Sequence, residues 1–172
     1  MSEKKVTASR TIAAPAQAIF DVLADPNKHA LIDGSGTVRA SRGSAQRLRL
    51  GSTFGMDMKI GVPYKITNKV VEFDEGRLIA WRHLARHRWR WELTPVDENS
   101  TEVTETFDYS TAPLGRLYPS LKFPENNRRA IERTLDRLAE LFRVRALHGV
   151  SWAFDRRKFA ATESPAGCVL GA

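Results

Sequence analysis

Between residues 124 and 144 the apolar positions Ile131, Leu135, Leu138, Leu141 and Phe142 recur at steps of four, three, three and one, and Arg128, Arg129, Glu132, Arg133, Asp136, Arg137 and Glu140 fill the arc between them. That spacing predicts an amphipathic helix with an apolar stripe on a charged cylinder. A helix of roughly twenty residues is about 30 Å long, too long for its stripe to be covered by anything smaller than a sheet. Upstream the period is two. Residues 6–12 alternate Val6, Ala8, Arg10 and Ile12 against Thr7, Ser9 and Thr11, which predicts a first strand. Ala14-Pro15 ends it, and the cluster Ile19, Phe20, Val22 and Leu23 predicts a short helix opened by proline, followed by another over 27–32. Gly34-Ser35-Gly36 marks a sharp turn, because no strand immediately precedes it and no clear helix follows to make a phosphate cradle. From 37 to 109 period two dominates. Phe54, Met56, Met58 and Ile60 alternate with Thr53, Gly55, Asp57 and Lys59, and Trp89, Trp91 and Leu93 alternate with Arg88, Arg90, Glu92 and Thr94. Residues 64–73, 77–83 and 101–109 are further strands, separated by Asp74-Glu75-Gly76 and the polar turn 95–100. Strands in succession with short turns make an antiparallel meander with one wet face and one covered face.

The connection 111–123 carries Leu114, Leu117, Tyr118, Leu121 and Phe123 among Pro113, Gly115 and Pro119. It is too long and too apolar for a plain turn, and it suits a lid. After 144 the amphipathic period fades. Arg156-Arg157-Lys158 and a run of Ala, Ser, Pro and Gly read as a poorly ordered basic tail, so the organisation expected is one domain over 1–145 and a tail over 146–172.

Composition changes this picture little. Lys and Arg number 27 against 20 Asp and Glu, and because the surplus is scattered it reads as a basic surface, with contact of the tail to an anionic membrane or nucleic acid as the minor alternative. The single cysteine, Cys168, permits neither an internal disulfide nor a thiolate metal site. No apolar leader and no run of membrane-spanning length occurs, so a cytoplasmic location is expected. The four histidines lack metal-ligand spacing, and no Gly-x-Ser-x-Gly elbow is present, so metal and nucleophilic chemistries have no support and no cofactor is expected. His83 and His87 lie four apart, with a turn expected to divide them. The basic, aromatic stretch 83–91 resembles a strand that stacks single-stranded nucleic acid, but on a strand its arginines and tryptophans fall on opposite faces and cannot grip one ligand together.

If the Phe54 and Trp89 faces turn inward, they wall an apolar cavity from Phe54, Met56, Met58, Ile66, Trp81, Trp89, Trp91 and Phe107, with Ile131 opposite and Leu117 and Phe123 near its cover. The same residues suit a filled core. The flexible thioethers of Met56 and Met58 lean toward a cavity. Polar residues on apolar faces are the informative exceptions, since each must find a partner. Asn68 lies between Ile66 and Val70, His83 shares a face with Ile79 and Trp81, His87 with Trp89 and Trp91, and Glu105 lies between Val103 and Phe107. Glu105 and His87 could serve as an acid–base pair for enolisation or dehydration, as ligand-orienting groups, or as a buried structural pair. Tyr64 and Tyr109 are phenols at inner positions that suit either core or ligand contact.

Several stretches together resemble the START-like (SRPBCC) superfamily, and within it the polyketide cyclase/dehydrase and lipid-transport proteins. They are Arg10 through Pro15 with Ile19 through Pro26, Val70 through Asp74 with Ile79 through His83, Thr101 through Ser110, and Leu135 through Leu141. Where such proteins often carry prolines after the Phe-Asp pair, this chain has Glu75-Gly76. The resemblance implies an α+β helix-grip (START/Bet v 1-like) fold, a curved antiparallel sheet wrapped around a long C-terminal helix with a cavity between. It implies no shared catalytic set. The expected function is binding of a hydrophobic small molecule, such as a lipid, fatty acyl or polyketide-like compound, by a carrier or sensor. The alternatives are a polyketide cyclase or dehydratase using Glu105 and His87, and a regulatory interaction module acting through its basic surface and tail.

Overall fold

The period-two stretches pair into one antiparallel sheet of seven strands, seen in a computed structural model that describes residues 4–43, 46–83, 86–113 and 122–148. The strands are β1 (Lys5–Ile12), β2 (Val38–Arg42), β3 (Thr53–Ile60), β4 (Val62–Asp74), β5 (Leu78–Arg82), β6 (Arg88–Asp97) and β7 (Ser100–Asp108), in the order β1-β7-β6-β5-β4-β3-β2. The first strand therefore closes beside the last, and β2 to β7 form a meander. Between β1 and β2 lie α1 (Ala16–Leu23), a single 3-10 turn (Pro26–Lys28) and α2 (His29–Ile32). The long C-terminal helix, α3, runs Phe123–Leu147, three residues past the predicted end. This is the helix-grip fold.

Period and burial agree where layers meet. Ile131, Leu135, Leu138 and Phe142 of α3 are buried and Leu141 half-buried, while Ile19, Phe20, Val22 and Leu23 of α1 are buried against the sheet. On the outer face Glu72 of β4 holds Arg88 and Arg90 of β6 at 3.0 and 3.1 Å across the small residue Ala80, and Arg90 also holds Glu92 at 2.7 Å. The tryptophans of β6 take the opposite face, as the alternation requires. Ile60 departs from its expectation. It ends β3 at a hairpin turned by Gly61, whose φ of 67° is left-handed, and it stands 64% exposed because β3 and β4 outrun the layer that covers them.

α3 makes its main backbone approaches to β1, β7 and α2. The α2–β2 loop is clamped to it. Gly34 N–H donates to Thr134 Oγ1 at 2.9 Å, Arg133 Nε donates to Gly34 O at 2.7 Å, and Arg137 donates to Asp33 O. A β-carbon at Gly34 would fall within the helix backbone, 2.7 Å from Arg133 C and closer still to Ala130 O and Thr134 N. The expected turn is there, but the glycine that matters serves helix contact. Leu117 and the rest of the proposed lid over 114–121, and the tail from 149 onward, lie outside the described residues.

Candidate functional site

The antiparallel register lines up the inner face of the sheet in rows. One runs Val6, Phe107, Trp89, Trp81, Val70, and the next Ala8, Glu105, Trp91, Ile79. On the far side Phe54 pairs with Asn68, Met56 with Ile66 and Met58 with Tyr64. Every strand residue expected at the wall thus falls on one surface. Burial then divides that surface in two. Part of it is sealed, with Phe54, Met56, Asn68, Trp91, Glu105, Phe107 and Tyr109 all under 9% exposed, and Ile131 of α3 is fully buried. Toward the β3–β4 hairpin Met58, Ile66, Trp81, His83 and Trp89 are only half-buried, although they sit on the inner face. Tyr64, at 37%, and Phe123, at 42% in the first turn of α3, stand at the rim.

The aromatic side chains interlock. Trp89 and Phe107 lie 4.8 Å apart, Phe107 and Tyr109 5.7 Å, and Phe54 and Trp81 5.7 Å with their planes crossed. His29 completes this group. It is stacked on Trp81 at 4.9 Å, crosses Phe54 at 5.5 Å, and its Nε2 donates to Leu23 O at 2.8 Å, which leaves Nδ1 as the acceptor nitrogen. Burial holds its pKa below the ordinary value, so it is neutral inside the fold. The only sequence signal for His29 was its place in a short apolar helix.

Glu105 is 4% exposed, and burial, followed by the nearby charge of Asp33, drives its pKa well above the carboxylate range. Its protonated, uncharged form is thereby favoured. Its Oε2 and the Nε1 of its cross-strand partner Trp91 are both buried and find no hydrogen-bond partner among the described residues. Asp33, whose carboxylate accepts from Val38 N at 2.9 Å and Ser35 N at 3.0 Å, also raises the Tyr64 phenol, after burial.

His87 does not join Glu105. Opposite Glu105 stands Trp91, four residues further along the ladder, or about 13 Å at strand rise, and no hydrogen bond links the two side chains among the described residues. His87 instead meets His83 at 4.3 Å between ring centroids and Phe107 at 4.9 Å. Between the two histidines Arg86 N–H donates to His83 O at 2.9 Å; residues 84 and 85 of the expected turn lie outside the described residues. Burial, then the charge of His83, lowers the His87 pKa to about 4. Burial lowers His83 as well. Among the described residues no three His, Cys, Asp or Glu side chains group as metal ligands.

A cleft of about 440 Å³ opens elsewhere, at the outer end of β2 and β3, lined by Pro26, Ser41, Arg42, Gly43, Gln46, Leu48, Gly51, Ser52, Thr53 and Phe54. Its wall is mostly polar, and of the predicted wall residues it includes Phe54 alone.

A sequence model of the family described as polyketide cyclase / dehydrase and lipid transport matches residues 3–143. The chain belongs to this family. Its membership, with the helix-grip architecture, places it in the START-like (SRPBCC) superfamily. An uncharacterised protein of Mycobacterium tuberculosis, Rv0088, is 41% identical over 145 residues, covering 80% of this chain; the chain spans 64% of that relative's length. Among solved structures, protein NE0264 of Nitrosomonas europaea superposes with a TM-score of 0.63 at 17% identity, over 86% of this chain and 99% of its own. The Zhui aromatase/cyclase of Streptomyces sp. R1128 does so at 0.59 with 21% identity, over 83% and 94%. Both similarities are of fold. Among the described residues no helix is long and apolar enough to cross a membrane.

Proposed function

We propose that this chain is a cytoplasmic carrier or sensor that binds a hydrophobic small molecule, such as a lipid, fatty acyl or polyketide-like compound, between the inner face of the sheet and α3. The binding unit in this proposal is residues 1–145, with 146–172 as an appended basic tail. One observation carries it. Met58, Ile66, Trp81 and Trp89 point to the interior side of the sheet yet remain half-buried, where α3 packs on β1 and β7 instead. Apolar surface left in contact with water inside a fold gains about 25 cal/mol for each Å² that a ligand covers. Family membership supports the same reading. The similarity to an aromatase/cyclase keeps a cyclase or dehydratase in view, but the separation of Glu105 from His87 weighs against that pair as its acid and base.

Native mass spectrometry of protein purified from its own host, with organic extraction of what it releases, tests the proposal. The expected result is a stoichiometric apolar adduct. An adduct that is polar and water-soluble would contradict it.

A further inference from the structure

The inner face of the sheet continues past the layer that covers it. Along the β3–β4 ladder Met56 pairs with Ile66, Met58 with Tyr64 and Ile60 with Val62, so these three cross-strand pairs share one face and form a continuous apolar track. Exposure rises along it. Met56 is 2% exposed, Met58 half-buried, Tyr64 37%, Ile60 64% and Val62 71%, with Gly61 between the last two. Single exposed apolar side chains are ordinary on a protein surface, but here the two most exposed of the track are direct partners at the tip of a hairpin. The opposite face of the same tip is basic. Lys59 lies across from Pro63 and Lys65 across from Asp57, whose carboxylate Arg42 holds at 3.4 Å, and both lysines are exposed.

We propose that this tip docks the protein on an anionic lipid bilayer, with Ile60 and Val62 entering the boundary between headgroups and acyl chains while Lys59 and Lys65 meet lipid phosphates. The dimensions agree. At strand rise Ile60 and Val62 stand about 7 Å beyond the Met58–Tyr64 pair, within the depth of about 5–10 Å at which interfacial amphipathic segments bury their apolar side chains. With the tip at that depth Tyr64 sits at headgroup level, its ring in apolar surroundings and its hydroxyl in water. The lysines lie behind the tip, within reach of the phosphates on their flexible stems. A protein partner fits less well, since a stable interface takes about 800 Å² from each side and a convex tip of a few side chains does not supply it. A second copy would bring like charges together. The docking surface lies outside the interior site and does not depend on it.

The test is flotation of the full chain with vesicles of phosphatidylcholine and phosphatidylglycerol in equal parts, compared with phosphatidylcholine alone. The expected result is binding to the anionic vesicles about ten-fold tighter than to the neutral ones, weakened by salt. Ile60→Thr/Val62→Thr, which keeps two β-branched side chains in the strands, should lower affinity for the anionic vesicles about ten-fold. Lys59→Gln/Lys65→Gln should lower it by about ten-fold or more and leave the weak binding to phosphatidylcholine unchanged. Both variants should keep the wild-type Tm and the wild-type affinity for the neutral fluorophore N-phenyl-1-naphthylamine, which reports the interior site, because all four side chains are exposed. An NBD fluorophore attached at Ile60→Cys, in a Cys168→Ser background, should brighten and shift to the blue when vesicles are added. No vesicle binding overturns the proposal. So does binding that survives Ile60→Thr/Val62→Thr or leaves the NBD group in water, which would assign the contact to the basic tail or another charged surface. Self-association that Ile60→Thr/Val62→Thr abolishes, without vesicle binding, would give the tip to a second copy and overturn it as well. Vesicle binding through the tip by a protein that does not take N-phenyl-1-naphthylamine would support the proposal and count against the interior site.

Discussion

Glu105 holds its proton to higher pH in the folded protein than in the unfolded chain, since burial and the charge of Asp33 raise it well above its ordinary value of 4.5. Stability from this group is therefore whole below pH 4.5 and is lost as pH rises toward the folded value. Glu105→Gln, neutral throughout, should stabilise the protein near pH 7 by roughly 1 kcal/mol, about 2–4 °C in Tm for a chain of this size, with the gain vanishing near pH 4. Thermal unfolding of both proteins across that range measures it, and a gain independent of pH would contradict the upward shift of Glu105. His87 titrates with the opposite sign. Unfolded, the imidazole takes its proton near 6.5, and folded only near about 4, so stability falls as pH drops through that window and levels off below it. Buried His29 adds to the same loss. In a Glu105→Gln background, where the opposing titration of Glu105 is absent, urea unfolding at pH 7 and pH 5 should show a weaker protein at the lower value, and adding His87→Gln should shrink the difference; an unchanged difference would mean His87 is not the group responsible.

At the scale of elements, the contact of the α2–β2 loop with α3 sets how far the helix stands from the sheet's second half. Gly34→Ala should cost about 3 kcal/mol, because the added carbon meets helix backbone that cannot turn aside. Gly36→Ala should cost only about 1 kcal/mol, since that residue has a positive φ of 69° and open space around it. Chemical denaturation of the two variants compares them directly, and equal losses would mean that the clamp at Gly34 carries no special weight. Neither the clamp nor the His29 stack on Trp81 was legible in the chain, because each depends on partners from remote segments, Thr134 lying 100 residues beyond Gly34. The α3 stripe and the opposition of tryptophans to arginines on β6 were legible, because burial on one side of an element imposes the period itself. Alternation does not encode where a hairpin outruns its layer, so Ile60 and Tyr64 were expected further inside than they are. The pairing of Glu105 with His87 required a register that no local pattern contains.

For the whole molecule, the inner surface of the sheet divides into a sealed part and an accessible part bounded by the β3–β4 hairpin. Met58 lies in the accessible part. Met58→Arg should leave folding intact, since a half-buried arginine there can extend its charge to water, and should weaken binding of N-phenyl-1-naphthylamine at least about ten-fold by placing that charge in an apolar site. Full affinity in the folded variant would remove Met58 from the wall. The most direct test of the interior site is the ¹H–¹⁵N spectrum of the indole groups, assigned by single Trp→Phe substitutions and followed as N-phenyl-1-naphthylamine is added. The account predicts that the Trp81 and Trp89 signals move together and saturate at one ligand per chain. Saturable binding that leaves both signals in place would contradict it.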